Sequence, residues 1–288
     1  MKKLLMMLVA LMMLVSVAAC SNNTNNETPT PSDEPDVQDV VLNDGTYDGY
    51  DPQPTYLARA LVTIEGGKAV SYEYEEIHLP NYWATYTEAE AAEAGEAEVM
   101  AVEGARGTSY YARHAVVGTG DEAIHLVALD EPKEAPNGST YTAYGNDEIP
   151  NFSDWVKDDE NAAWYYEQIF AGNYWIEDAE GNLKEDLAVY STTRKDGVVL
   201  NKVESRMKTK IQHWTAVGTG VGTEMGENGW TGNLEILGNT LIELQFPEGE
   251  VTKNEENKVV IADTVTSATV EEYKGYVQMF YDAYNKAK

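Results

Sequence analysis

Between residues 263 and 269 the chain reads Asp-Thr-Val-Thr-Ser-Ala-Thr, with three threonines and a serine in six positions behind an acid. Hydroxyls in such a run can do two things. They can cap a helix, or one of them can carry a phosphate ester. The residues beyond 269 supply the helix. Val270, Tyr273, Val277, Phe280 and Tyr284 recur at spacings of three and four, which predicts one buried stripe on a helix over 270–286. Thr269 can be its N-cap, and Glu272, three residues on, can complete a capping box. Capping gives Thr269 and Glu272 a role but leaves Asp263, Thr266, Ser267 and Ala268 without one. The same helix start presents unpaired N–H groups and the positive end of a dipole, a natural place for a phosphate. A hydroxyl there is well placed for esterification, and the small Ser267 and Ala268 leave room for the rest of a ligand.

Other chemistry finds little support. The four histidines, His78, His114, His125 and His213, show neither H-x-x-x-H nor H-E-x-x-H spacing, so zinc is not expected. There is no G-x-S-x-G elbow for serine hydrolysis. The acidic stretch 43–51, NDGTYDGYD, lacks the spacing of a calcium loop and reads as turns entering a first strand. The 19 tyrosines and 6 tryptophans outnumber the 4 phenylalanines. Such side chains suit half-buried sites with one polar end, either in a sheet core or stacked on a flat ligand or a sugar.

The elements that would position the hydroxyl run come from periodicity. Order is expected from about residue 43. Residues 56–77 alternate around Gly66-Gly67, the pattern of a β-hairpin. Residues 85–103, rich in Ala and Glu, read as an exposed helix weakened by Gly95. Residues 109–120 and 123–130 read as strands, and 158–175 as a helix with an aromatic face ending at Gly172. The order then repeats. Residues 186–206 are a strand–turn–strand around Lys195-Asp196-Gly197, His213–Gly220 echoes His114–Gly120, 230–246 reads as apolar strands, and the helix over 270–286 closes the series. The expected fold is α+β, as two diverged copies of one unit at 43–178 and 179–288. Each would be a twisted antiparallel sheet with flanking helices and a closing helix.

Ahead of these units, residues 1–19 carry two lysines, an apolar run and then small residues, the form of a secretory signal. Cys20, the single cysteine, comes after Val17-Ala18-Ala19. This run resembles a bacterial lipobox, which would make Cys20 a lipidated N-terminus. The alternative is an ordinary signal cleaved near Ala19. With its thiol acylated, the mature chain could form neither a disulfide nor a Cys-based metal site. Residues 20–42, rich in Asn, Thr, Pro and acids, cannot bury a core and read as a disordered tether, spanning about 25 Å as a coil. Net charge is −29; without the two signal lysines it is 18 − 49, or −31. A nucleic-acid partner is excluded on that charge, and attachment to an anionic membrane falls to the lipid.

The segment Asp263–Thr269 resembles the flavinylation motif of FMN-binding domains, Asp-x-x-Ser/Thr-Gly/Ser-Ala-Thr. Such domains occur in the sodium-pumping NADH:quinone oxidoreductase and in exported electron-transfer lipoproteins. The resemblance implies covalent FMN, joined through its phosphate to Thr269 by an FAD-dependent FMN transferase. Asp263, Thr266, Ser267 and Ala268 would form the recognition sequence, with Ser267 in place of the more usual glycine. NDGTYDGY and the hairpin after it are similar to the opening of these domains, and the glycine-rich stretch 217–230 has the look of another such opening. The first copy has no such motif before its helix, so one FMN is expected. On this resemblance Trp214 and Trp230 would pack near the isoalloxazine. The chain would be a lipid-anchored, extracytoplasmic electron carrier on the outer face of a Gram-positive membrane. A membrane quinol or NADH dehydrogenase would be its donor, and an extracellular acceptor or surface reductase its partner. The competing expectation is a surface lipoprotein that binds a glycan or peptide through Tyr and Trp side chains.

Overall fold

The computed structural model describes residues 41–105, 107–134, 140–184 and 229–288. The expected signal, Cys20 and nearly all of the tether lie outside the described residues. So do the strand–turn–strand over 186–206, the His213–Gly220 echo and Trp214. The described residues from 41 onward belong to one compact unit.

The chain opens with β1 (Gly45–Pro52), β2 (Tyr56–Glu65) and β3 (Lys68–His78), a three-stranded antiparallel sheet in that order. The β2–β3 turn is Gly66-Gly67, both at positive φ, as expected. Then come the one-turn helix α1 (Pro80–Trp83), β4 (Thr85–Tyr86), α2 (Glu88–Ala94), β5 (Val99–Gly104) and β6 (Gly107–Ala112). The single helix expected over 85–103 is therefore corrected. Thr87 and Glu90 form a true capping box that starts α2. Gly95, at φ 79°, ends it, and the β-branched Val99 and Val102 pair with β6 instead.

β7 (His114–Val117), β8 (Ile124–Ala128), β9 (Lys133–Glu134), β10 (Thr140–Tyr141) and β11 (Tyr144–Gly145) lead to α3 (Phe152–Trp155), α4 (Asp159–Ala171) and β12 (Tyr174–Glu177). Strands β11-β8-β7-β12 form one antiparallel sheet, β4-β6-β5 another, and β10-β9 a two-stranded ribbon. Asp158 caps α4 through the amides of Glu160 and Asn161, and Gly172 closes it in the left-handed conformation, the end the sequence predicts, while Tyr174 and Trp175 of the expected range begin β12.

After residue 228 come α5 (Gly229–Leu244), β13 (Val251–Lys253), β14 (Val259–Ile261), β15 (Thr264–Val265) and α6 (Tyr273–Asn285). The apolar strands expected over 230–246 are instead one helix. Trp230, Leu234, Leu237 and Leu241 are all fully buried, and their spacing of four, three and four is helical rather than alternating.

Two hydrophobic cores divide the interior. One gathers Trp83, Tyr144, Phe152, Tyr165, Tyr166 and Tyr174 around β4–β8 and α4. The other joins Ala58, Ala60, Val62 and Ile64 of β2 to α5, the β14 strand and α6. Alternation explains how β2 serves both: Leu57 points to the first core and its even-numbered residues to the second. The second core thus crosses the boundary expected at 178/179, because the sheet at 45–78 uses α5 and α6 as its cover. At Gly49 the β1 backbone comes so close to α6 that an added Cβ would lie 2.0 Å from the Met279 carbonyl oxygen.

Candidate functional site at residues 263–269

The hydroxyl run begins as a hairpin. Val260 pairs with Val265 and Ile261 with Thr264, leaving Ala262 and Asp263 as a two-residue loop. Both have positive φ, 45° and 68°, the type I′ geometry that matches strand twist. Asp tolerates that conformation better than most residues, so the turn alone explains an acid at 263.

Thr266 then folds the chain back. Its amide and its hydroxyl both donate to the Val259 carbonyl, at 2.9 and 2.8 Å, and Oγ1 also accepts the Ala268 amide at 3.1 Å. The Val259 amide donates to the Ala268 carbonyl at 2.8 Å. These bonds fix 266–268 as a rigid step beside β14. Ala268 and Val270 drop into the second core, while Ser267 faces outward.

Thr269 is held by its backbone from both sides. Its amide donates to Asn233 Oδ1 of α5 at 2.6 Å, and its carbonyl accepts from Lys253 Nζ of β13 at 3.2 Å. Its hydroxyl has a different environment: Oγ1 is covered and hydrogen-bonds nothing among the described residues. The capping box expected between Thr269 and Glu272 is therefore corrected. Helix α6 starts at Tyr273, Glu272 occupies the N-cap position, and no side chain caps it. Hydrogen bonds hold 266–269 against β14, α5 and β13, so the chain enters the helix later than the apolar stripe suggests.

Trp230 is sealed in the second core, edge-on to Tyr74 and Tyr276. Its indole N–H donates to Tyr276 Oη at 3.0 Å, and Tyr276 donates to Glu76 Oε2 at 3.1 Å. Glu76 is completely buried and Asp51 nearly so. Burial, with Tyr276 and Glu76 close by, pushes the Tyr56 hydroxyl well above its ordinary range. Asp51 Oδ1 accepts from Gln53 at 2.7 Å, while Oδ2 is buried without a hydrogen bond. Burial pushes its carboxyl up to about 6.

The hydroxyl run Asp263–Thr269 thus forms one feature beside β14, whereas Trp230, expected beside the flavin ring, is fully buried in the second core and presents no face to a ligand. Sequence reasoning misses Asn233 and Lys253. Asn233 has a signal: in a helical register it falls on the Trp230–Leu234–Leu237 face, a buried amide in an apolar stripe, which requires a partner. Lys253 has none, because its approach to Thr269 depends on a hairpin between them.

No protein-family description, no curated protein and no solved structure matches this chain. The fit of FMN to the site is judged on its own chemistry. Thr269 has a hydroxyl oxygen with no bond to lose, and its backbone carbonyl is held by one ammonium, that of Lys253. These residues suit a phosphoester. With Oγ1 covered, the Thr269 side chain must turn about χ1 or the packing over it must open before anything is attached.

Proposed function

We propose that this protein is a lipid-anchored extracytoplasmic electron carrier bearing one FMN on Thr269. An FAD-dependent FMN transferase would attach it, and Cys20 would carry the anchor. Electrons would pass from a membrane quinol or NADH dehydrogenase to an extracellular acceptor or surface reductase. The observation that carries the reading is the condition of Thr269: amide and carbonyl both hydrogen-bonded, hydroxyl with no partner, at the last position of the motif.

Bound there, FMN would supply the redox chemistry. The chain's part is to hold and orient it. Thr266 fixes the step before Thr269, Ala268 anchors that step in the core, and Asn233 sets the direction in which Thr269 leaves the hairpin. The two-copy architecture belongs to this proposal with one amendment. The second core joins 45–78 to the motif, so the flavin-bearing unit includes those strands as well as 229–288.

The glycan- or peptide-binding alternative has no observation that favours it: among the described residues no tyrosine or tryptophan is fully exposed, each being buried or half-buried.

Intact mass tests the reading. Protein recovered from its native membrane, or co-produced with the transferase, should carry the added mass of FMN less one water. Thr269→Ala should abolish that addition and Thr264→Ala should keep it. An unmodified wild-type chain in the presence of active transferase overturns the proposal.

A further inference from the structure

We infer that Lys253 is the cation that positions and charge-balances the phosphoryl group as Thr269 receives it; the inference rests on the flavin reading above. Lys253 is the last residue of β13, and its side chain is only 14% exposed. Its ammonium makes three contacts. It donates to the Thr269 carbonyl at 3.2 Å, pairs with Glu271 at 3.3 Å and lies 5.4 Å from the centre of the Tyr273 ring. All three partners fall within the five residues that join the motif to α6. In a chain with 49 acids and 20 basic residues, a half-buried ammonium aimed at the modified residue is a specific placement.

The chemistry explains why a cation belongs there. Thr269 Oγ–H and FAD give Thr269 Oγ–FMN and AMP. The oxygen–phosphorus bond to Thr269 forms and the phosphoanhydride bond of FAD breaks. AMP leaves with the bridging oxygen, and the hydroxyl proton balances it. The product is a phosphodiester, one negative charge fixed two and three residues before Glu271 and Glu272. Bringing it into this acidic surround without a counter-charge is unfavourable, and a partly desolvated ammonium offsets it. Glu271, half-exposed at 50%, holds Lys253 in the meantime and can release it to the phosphoryl oxygens.

The test is a time course of flavin incorporation by the full chain with purified transferase, FAD and magnesium, read by intact mass. Lys253→Met should slow the maximal rate about tenfold with little change in the chain concentration giving half that rate. Lys253→Arg should restore it to within about threefold. Glu271→Gln should match or exceed wild type. Lys258→Met removes an ammonium on the β13–β14 connection that pairs with exposed Glu256 and should match wild type. Equal rates for wild type, Lys253→Met and Lys258→Met overturn the inference. So does a Lys253→Arg variant as slow as Lys253→Met when both lose the same melting temperature, since that pattern marks a purely structural lysine. A wild-type chain that takes up no flavin overturns the reading at Thr269 itself, and is seen before any lysine variant is compared.

Discussion

Asn233 and Thr269 are joined by a hydrogen bond of 2.6 Å, from the threonine amide to the asparagine side-chain oxygen. The asparagine is completely buried, so this bond ties the motif to the buried face of α5. Asn233→Ala leaves the Thr269 amide without its acceptor and should cost about 1–3 kcal/mol. Urea unfolding measures this as a lower midpoint at unchanged slope. If Thr269 carries the proposed flavin, the variant should also incorporate it more slowly at temperatures where it is fully folded.

The hairpin turn separates geometry from recognition at Asp263. Ala262 holds a left-handed φ of 45°, strained for a residue with a Cβ. Ala262→Gly should therefore raise stability by about 0.5–1 kcal/mol. Asp263→Gly keeps the turn and should leave the melting temperature nearly unchanged. If the carboxylate belongs to the motif that the transferase reads, the same variant loses flavin incorporation, as intact mass will show.

Gly49 tests the contact between β1 and α6. A Cβ would meet the Met279 carbonyl at 2.0 Å and the Ala283 amide nitrogen at 2.7 Å, and backbone cannot swing aside. Gly49→Ala should cost about 1–3 kcal/mol or more through forced separation of strand and helix. Thermal unfolding of Gly49→Ala against Gly67→Ala makes the comparison, since nothing lies near a Cβ at Gly67 and only its positive φ of 73° opposes the change.

Asp51 predicts a pH dependence. Its carboxyl is pushed up to about 6 from an ordinary 3.8, chiefly by burial, with Glu272 and Asp282 adding to it against the Gln53 hydrogen bond. The folded pKa lies above the unfolded one, so the native state binds the proton more tightly. This contribution to stability is full below about 4, falls as pH rises from about 4 through about 6, and is flat above. The shift corresponds to a loss of up to about 3 kcal/mol. Urea midpoints from pH 4 to 8 should show this slope in wild type and a weaker one in Asp51→Asn.

Local signals carry most of what the sequence reveals. Gly66-Gly67 marks the first hairpin, and Gly172 ends α4, because each acts through backbone geometry within a few residues. Three expectations fail where short-range pattern and tertiary packing disagree. The Ala/Glu run predicts a helix that continues past Gly95, into a segment whose valines pair with β6. The segment 230–246 is rich in Leu and Ile and lacks charge over much of its length, so it reads as strand although Trp230, Leu234, Leu237 and Leu241 keep a helical period. The apolar stripe places the start of α6 at Thr269, but the hydrogen bonds from Val259, Asn233 and Lys253 that delay it are non-local. For the site, the motif is visible as residues and its support is not. Asn233 and Lys253 reach Thr269 from elements 36 and 16 positions away.

Asn43 donates both its amide and its side-chain N–H to the carbonyl of Ala287, 244 positions later. A chain that emerges amino end first therefore makes its opening sheet long before that sheet's cover exists. Through most of synthesis the alanine and valine face of β2 stays wet, and it closes only once α5 and α6 have both emerged. Thr269 precedes α6 by four residues, so the hydroxyl run is completed only just ahead of the element that shuts the sheet.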